Sequence, residues 1–289
     1  MSYGELYLEG KGALEAAGIA EAELDARLLL EYVCKTDRNA LLVHGDRQVT
    51  PEQEKCFREL IRRRGERIPL QQLTGTQDFM GLEFAVNEKV LIPRQDTEIL
   101  VEEALRCLHD GMRVLDLCTG SGCILISLLQ YSNNCTGVGT DVSKEALKVA
   151  AENAGRLLGE HVLTGSGEGE KRICFLQSDL FEKVEGMFDM IVSNPPYIRT
   201  RVVDTLMPEV RDHEPRQALD GGEDGLLFYR EILRGCGNYL KKGGMLFFEI
   251  GYDQGETVRG LMEQAGFLEV CVVKDYGGMD RVVCGTLGF

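Results

Sequence analysis

Residues 114–131 read VLDLCTGSGCILISLLQY. A short apolar run carrying one aspartate breaks into a small polar turn holding Gly120 and Gly122, then resumes as an apolar stretch of helical length. Strand, glycine turn and helix in that order open a βα unit. The pattern repeats downstream. TGVGT (136–140) precedes KEALKVAAENAGRLL (144–158), and RICFLQ (172–177) precedes a short connection. MFDMIVS (187–193) leads through a long loop to the helical GLLFYREILRGCGNYL (225–240) and the strand GMLFFEI (244–250). Helix GETVRGLMEQAG (255–266) separates that strand from FLEVCVVKD (267–275) and RVVCGTL (281–287). Strands fit to be buried on both faces, alternating with amphipathic helices, predict an α/β fold with an open, mostly parallel seven-stranded sheet. The last two strands, joined only by YGGMD, should pair antiparallel at its edge.

Upstream the period is helical. In residues 3–65, Leu14, Ile19, Leu24, Leu28, Leu29 and Val33 fall at mostly helical spacings. A second helix opens on Pro51 and continues through Phe57, Leu60 and Ile61. The expected organisation is a helical domain over 1–72, a β-hairpin linker over 73–92 punctuated by Gly75 and Gly81, and the α/β domain over 93–289. The helical part carries no nucleophile or carboxylate constellation, so it should hold a partner rather than perform chemistry. HVLTGSGEGEKR (161–172) is polar and glycine-rich and reads as a surface loop.

Composition narrows the functional classes. The chain has 289 residues, 44% hydrophobic and 27% charged, as expected of a globular protein. No apolar run reaches the roughly 20 residues that cross a bilayer, and MSYGELYLEGKG lacks the parts of a signal peptide, so a cytoplasmic location without membrane contact is expected. Net charge is −15. Residues 1–75 hold 11 Lys and Arg against 13 Asp and Glu, leaving 21 against 34 in the remainder. Neither part is basic, and no direct nucleic-acid contact is expected. Arg62, Arg63, Arg64 and Arg67 form a local exception, read either as a solvated helix end or as a contact for a partner. The ten cysteines are scattered, and Cys174 and Cys271 sit in apolar runs where a thiol serves as a small hydrophobe. Neither disulfides nor a metal site is expected.

In an open α/β sheet the turn 116–123 lies where ligands bind, beyond the carboxyl ends of the strands. Gly120 and Gly122 allow close backbone approach, and Thr119 and Ser121 offer small polar contacts. The third glycine of a dinucleotide fingerprint is missing at 125, and Asp116 stands beside the turn, a poor neighbour for pyrophosphate but a reasonable one for a cationic amino acid or sulfonium. Asp141, ending the second strand, can accept both ribose hydroxyls of an adenosine. Asp179, ending the third, can accept from an adenine amino group, with Leu180 against the ring. Together these favour S-adenosylmethionine over NAD. Asn194, Pro195, Pro196 and Tyr197 end the fourth strand beside that crevice. The prolines fix where carbonyls point. A planar –NH2 needs two acceptors, which the Asn194 side chain and the Pro195 carbonyl supply, while Tyr197 can pack on its plane.

These residues carry a resemblance. Asn-Pro-Pro-Tyr resembles the methyltransferases that act on planar exocyclic or amide nitrogens. FMGLEFAVNEKVLIPRQDTE (79–98), HEPRQALDGGEDGLLFYREI (213–232) and FFEIGYDQ (247–254) narrow this to the peptide chain release factor glutamine methyltransferase family, along nearly the whole chain. The resemblance implies a Rossmann-like class I methyltransferase domain behind a small helical domain that binds class 1 peptide chain release factors. It implies methyl transfer from S-adenosyl-L-methionine to N5 of the glutamine in their Gly-Gly-Gln tripeptide, leaving S-adenosyl-L-homocysteine, without a metal and by a monomer. Family roles then fall on Asp116, Cys118, Thr119, Gly120, Ser121 and Gly122 for the methionine side, Asp141 for ribose, Asp179 and Leu180 for adenine, and Asn194 through Tyr197 for the glutamine amide. Arg94 and Glu98 order the substrate wall. Glu249, at the end of the next strand, is either structural or catalytic. Two positions depart from the family pattern: Cys118 stands where glycine is usual, so that position is either ordinary extended backbone or the loop shifts, and Gln95 stands where proline is common. The alternative is a nucleic-acid adenine amino-methyltransferase, which would have to flip its base and which the acidic charge disfavours.

Overall fold

The computed structural model describes residues 1–164 and 172–288. The chain forms two compact units, Met1–Thr76 with Met207–His213, and Gln77–Leu206 with Glu214–Phe289.

The first unit is helical: α1 (Tyr3–Ala16), α2 (Ala22–Cys34), α3 (Arg38–Val43), α4 (Pro51–Gly65) and α5 (Leu70–Thr74). Ser2 with Glu5, and Thr50 with Gln53, close capping boxes at the starts of α1 and α4, satisfying backbone N–H groups that the first turn leaves open. Leu6, Leu14, Leu29, Leu30 and Phe57 are fully buried in its core. Gly10 admits the Phe57 ring, since a Cβ there would come within 2.6 Å of it. The arginine cluster is spent largely on internal pairing. Arg62 pairs with Glu59 and Glu66, while buried Arg64 reaches Asp25 at 2.7 Å and Glu209 at 3.1 Å. Arg67 joins Glu209 and the carbonyls of Ala17 and Gly18.

The second unit opens with the hairpin β1 (Thr76–Phe79) and β2 (Leu82–Ala85) and continues with α6 (Glu98–Cys107), β3 (Arg113–Leu117), α7 (Cys123–Gln130), β4 (Thr136–Asp141), α8 (Lys144–Leu158), α9 (His161–Thr164) and β5 (Ile173–Gln177). There follow β6 (Phe188–Ser193), α10 (Thr200–Val203), α11 (Pro208–Arg211, in the segment that belongs to the first unit), α12 (Leu227–Cys236), β7 (Leu240–Glu249), α13 (Gly255–Gln264), β8 (Phe267–Lys274) and β9 (Asp280–Leu287). The seven-stranded sheet runs β5-β4-β3-β6-β7-β9-β8, parallel except for the pairings of β9 with β7 and β8. Successive side chains divide between two cores. Val114, Met190, Val192 and Phe247 enter one, and Leu115, Ile191, Leu246 and Phe248 the other. Both faces are therefore buried, as the unbroken apolar strands require.

Several expectations need correction. The helix expected over 225–240 is shorter, Leu227–Cys236, and Leu240, its expected last residue, instead begins β7, while residues 98–107, for which no helix is expected, form α6. Residues 161–164 of the expected surface loop are the helical turn α9, and 165–171 lie outside the described residues. Cys271 is exposed rather than core, its sulfur 3.2 Å from that of Cys284 on the neighbouring strand.

Candidate active site

Strand order reverses between β3 and β6, so the loops that follow these neighbours diverge and leave a crevice at their carboxyl ends. Register pairs Leu117 with Ser193, and the Ser193 hydroxyl donates to the Leu117 carbonyl at 2.8 Å. The turn beginning at Cys118 and the Asn-Pro-Pro-Tyr segment beginning at Asn194 therefore start side by side.

Cys118 adopts φ +60, as do Gly120 at +56 and Gly122 at +80. Cys118 is thus left-handed, not extended, and carries a cost of about 1–2 kcal/mol that glycine would avoid. Hydrogen bonds hold the turn in place. The Thr119 amide donates to the Thr140 carbonyl at 2.9 Å, its hydroxyl donates to Asp116 Oδ2 at 2.6 Å, and Asn153 donates to the Ser121 carbonyl at 3.0 Å. Asp116 is fully buried, its Oδ1 has no partner, and burial pushes its carboxyl up to about 7. It braces the turn from below and does not line the cavity. The Asp141 carboxylate accepts from the Gly120 amide at 3.0 Å through Oδ2 and from the Ser143 amide at 2.8 Å through Oδ1. Burial raises its pKa while these bonds oppose the shift.

Two adjoining cavities share Cys118, Gly120 and Asn194. One is lined also by Asp141, Asp179, Leu180 and Pro196, the other by Arg94, Thr97, Thr119 and Ser121. An adenosine-bearing cofactor fits this set. Each Asp141 oxygen keeps acceptor capacity beyond its one backbone donor, and a Cβ at Gly120 would meet nothing within 4 Å, so the backbone there is open to a ligand.

Asn194 Nδ2 donates to the hydroxyl of buried Thr97 at 3.4 Å. The tetrapeptide is held from behind by Gln254, which is 4% exposed. Its Nε2 donates to the Tyr197 and Gly225 carbonyls, both at 3.1 Å, and its Oε1 accepts from the Gly251 amide at 2.9 Å and the Tyr229 hydroxyl at 3.4 Å. The glycines of DGGEDG permit a close approach. A Cβ at Gly221 would lie 2.7 Å from the Pro196 oxygen, and one at Gly225 would lie 2.4 Å from the Tyr197 oxygen. The Tyr197 hydroxyl donates to Glu249 Oε1 at 3.3 Å, and burial raises its pKa. Glu249 itself is 1% exposed, and burial pushes it up to about 7.

Of the expected site residues, Cys118, Thr119, Gly120, Ser121, Asp141, Asp179, Leu180, Asn194, Pro196 and Arg94 line the paired cavities. Glu98 does not: its carboxylate accepts from the Met80 amide at 2.6 Å and anchors the hairpin turn. Arg94 donates to buried Glu214 at 2.6 Å, and Glu214 also accepts from the Ile92 amide at 3.4 Å. Thr97, Glu214 and Gln254 were not singled out in sequence, although all three lie in the segments that carried the resemblance. Among the described residues no cluster of His, Cys, Asp and Glu could hold a metal ion, and no helix is long and apolar enough to cross a membrane.

The family profile described as PrmC N-terminal domain matches residues 5–75, and that described as methyltransferase small domain matches 95–223. A release factor glutamine methyltransferase of Geobacter sulfurreducens is 42% identical over 279 residues, covering 96% of this chain and 94% of the relative. The chain belongs to the release factor glutamine methyltransferases. A second member, from Moorella thermoacetica, is 42% identical over 272 residues, covering 93% and 92%. A methyltransferase structure from Pyrococcus furiosus, 20% identical with TM-score 0.52 over 72% of this chain and 90% of that one, shares the fold. Membership of the release factor glutamine methyltransferases makes this chain a protein-glutamine N-methyltransferase.

Proposed function

We propose that this chain methylates the side-chain amide nitrogen of the glutamine in the Gly-Gly-Gln tripeptide of class 1 release factors, with S-adenosylmethionine held over the β3 turn and the amide held by Asn194 and the Pro195 carbonyl. The observation that carries this reading is the adjacency of Asn194 to the Cys118–Gly120 turn, both lining the same cavities. When bound, S-adenosylmethionine supplies an electrophilic methyl group on a sulfonium. Asp141 accepts from the ribose hydroxyls, and Asp179 and Leu180 hold the adenine. The Asn194 side-chain oxygen and the Pro195 carbonyl accept the two amide hydrogens, so that the nitrogen's remaining face points toward the methyl donor. An amide lone pair is delocalised, and alignment together with stabilisation of the positive charge developing on nitrogen supplies most of the effect. Each ground-state hydrogen bond adds only about 0.5–1.5 kcal/mol. Tyr197 shields the site from water.

Mass spectrometry of a release factor after incubation with the enzyme and S-adenosylmethionine tests this reading. One methyl mapped to the glutamine of Gly-Gly-Gln is expected. Label entering DNA or RNA instead, with the release factor unmodified, would overturn it. The helical unit is the release-factor grip in this proposal, since it exposes apolar Leu42 and Val43, 73% and 74% accessible, on α3. Leu42→Asp with Val43→Asp should raise the KM for release factor while leaving cofactor affinity unchanged, and an unchanged KM would remove α3 from the contact.

A further inference from the structure

The edge of the sheet brings two thiols together. Cys271 on β8 and Cys284 on β9 are direct partners in the antiparallel register, and their sulfurs lie in hydrogen-bond contact at 3.2 Å. A bulge creates this match. Leu268 pairs with Thr286, and an unbroken ladder from there would carry Val270 opposite Cys284. One extra residue on β8, marked by the left-handed Glu269 at φ +52, moves Cys271 into that place instead. Facing residues of an antiparallel pair stand about 4.5–5.5 Å apart at Cα, inside the roughly 4.4–6.8 Å that a disulfide spans. Joining the two sulfurs therefore asks for side-chain rotation rather than movement of the strands.

The two thiols differ in exposure. β8 is the last strand of the sheet, and Cys271 on it is exposed, whereas Cys284 is 5% exposed and packs in the core beside Val282. A small oxidant in water reaches the first and is shielded from the second. We propose that Cys271 and Cys284 form a peroxide-reactive dithiol, a modification site in which Cys271 takes up the oxidation and Cys284 resolves it as a reversible cross-strand disulfide. Neither cysteine lines the paired cavities, so the link staples the edge strands without occupying the candidate active site.

The chemistry balances with hydrogen peroxide as the oxidant. The Cys271 thiolate attacks one peroxide oxygen: an S–O bond forms, the O–O bond breaks, and the departing hydroxide takes up the thiol's proton and leaves as water. Cys271 is then a sulfenic acid. The Cys284 sulfur attacks the Cys271 sulfur, the S–S bond forms, the S–O bond breaks, and the hydroxide leaves with the Cys284 proton as a second water. The two thiols lose two electrons and the peroxide gains them. A dithiol reductant reverses the link by exchange. The disulfide constrains the unfolded chain while the folded strands already hold the required register, so the oxidised protein should resist denaturant better than the reduced one.

The test treats the whole chain, reduced and then freed of reductant, with hydrogen peroxide up to the dose that oxidises Cys56, which is exposed as well. Remaining thiols are alkylated, and the protein is digested with trypsin without reduction. Cleavage after Lys274 and Arg281 separates the two cysteines, so a disulfide joins peptide 260–274 to peptide 282–289 and comes apart with dithiothreitol. That link should dominate over every other cysteine pairing and vanish in Cys271→Ser. In Cys284→Ser, dimedone should trap a sulfenic acid at Cys271 that wild type does not retain. The denaturant midpoint of oxidised wild type should rise and return on reduction, with no such shift in Cys271→Ser. Oxidised Cys56 beside reduced Cys271 and Cys284 would overturn the proposal. So would Cys271 joined to a second chain or accumulating as sulfinic acid, or a link that lowers the midpoint.

Discussion

Gly221→Ala isolates the close approach of the DGGEDG loop to the Asn-Pro-Pro-Tyr tetrapeptide, because Gly221 is not among the glycines with positive φ and the substitution adds no left-handed strain. The new Cβ would lie 2.7 Å from the Pro196 oxygen, 2.7 Å from Tyr197 Cα and 2.8 Å from the Tyr197 carbonyl carbon. Ordinary carbon contacts begin at about 3.5 Å, so the two backbones must part by roughly 0.7 Å. No side-chain rotation can relieve a clash with main-chain atoms. The displacement also works against the Ile198 amide bond to the Leu219 carbonyl at 3.0 Å and the Gly221 amide bond to the Ile198 carbonyl at 2.8 Å. Overpacking of this kind costs about 1–3 kcal/mol of stability. Misplacing reacting groups by an ångström costs about a hundredfold in rate, so a kcat loss of about 10- to 100-fold is expected. Cofactor affinity should change only a few-fold. Gly237→Ala is the control, at a helical φ of −61 with nothing within 4 Å of its added Cβ. Steady-state methyl transfer with denaturant melts of both variants decides the matter. Wild-type kcat in folded Gly221→Ala would refute the idea that this glycine sets the position of Pro196 and Tyr197.

Asp141→Asn should weaken S-adenosylmethionine binding by at least about tenfold, since hydrogen bonds to charged groups contribute about 1.5–3 kcal/mol each; calorimetry gives the answer directly. Arg64→Ala leaves buried Asp25 without its cation, while half-buried Glu209 keeps Arg67, and should cost about 3–5 kcal/mol in denaturant unfolding. Glu249 lies above its ordinary 4.5, at about 7, so its contribution to stability is complete below about pH 4.5 and lost as pH rises through 7. The unfolding free energy of Glu249→Gln from denaturant melts should therefore gain on wild type between pH 5 and pH 8, by an amount on the order of 3 kcal/mol at most.

The strand ends were legible because each combines a local pattern with a chemical group. VLDL followed by glycines, TGVGT running into Asp141, and MFDMIVS running into Asn-Pro-Pro-Tyr lie in the structure as β3, β4 and β6 with their turns at one end. The α6 segment EILVEEALRC has helical spacing, but its first residue belongs to the IPRQDTE motif, which hides the start of the helix. Leu240 carried on the apolar spacing of the preceding helix, and only pairing with Phe188 on β6 makes it a strand residue. Thr97, Glu214 and Gln254 act across 97, 122 and 57 residues of chain respectively, distances at which no local signal survives. Asp116 has the spacing of a cofactor neighbour, but strand alternation turns it into the core, where it braces Thr119. The left-handed Cys118 goes against the expectation of extended backbone, although the glycine usual at that position was a signal of it: the turn demands that conformation whatever residue occupies it.

The central claim is that Asn194 acts on the glutamine amide and not on the cofactor. Methyl transfer to release factor and calorimetric S-adenosylmethionine affinity, measured on the same preparation of Asn194→Ala, test it most directly. The account predicts transfer nearly abolished with cofactor affinity within a few-fold of wild type. Cofactor binding lost in step with transfer would contradict it and make Asn194 a cofactor ligand.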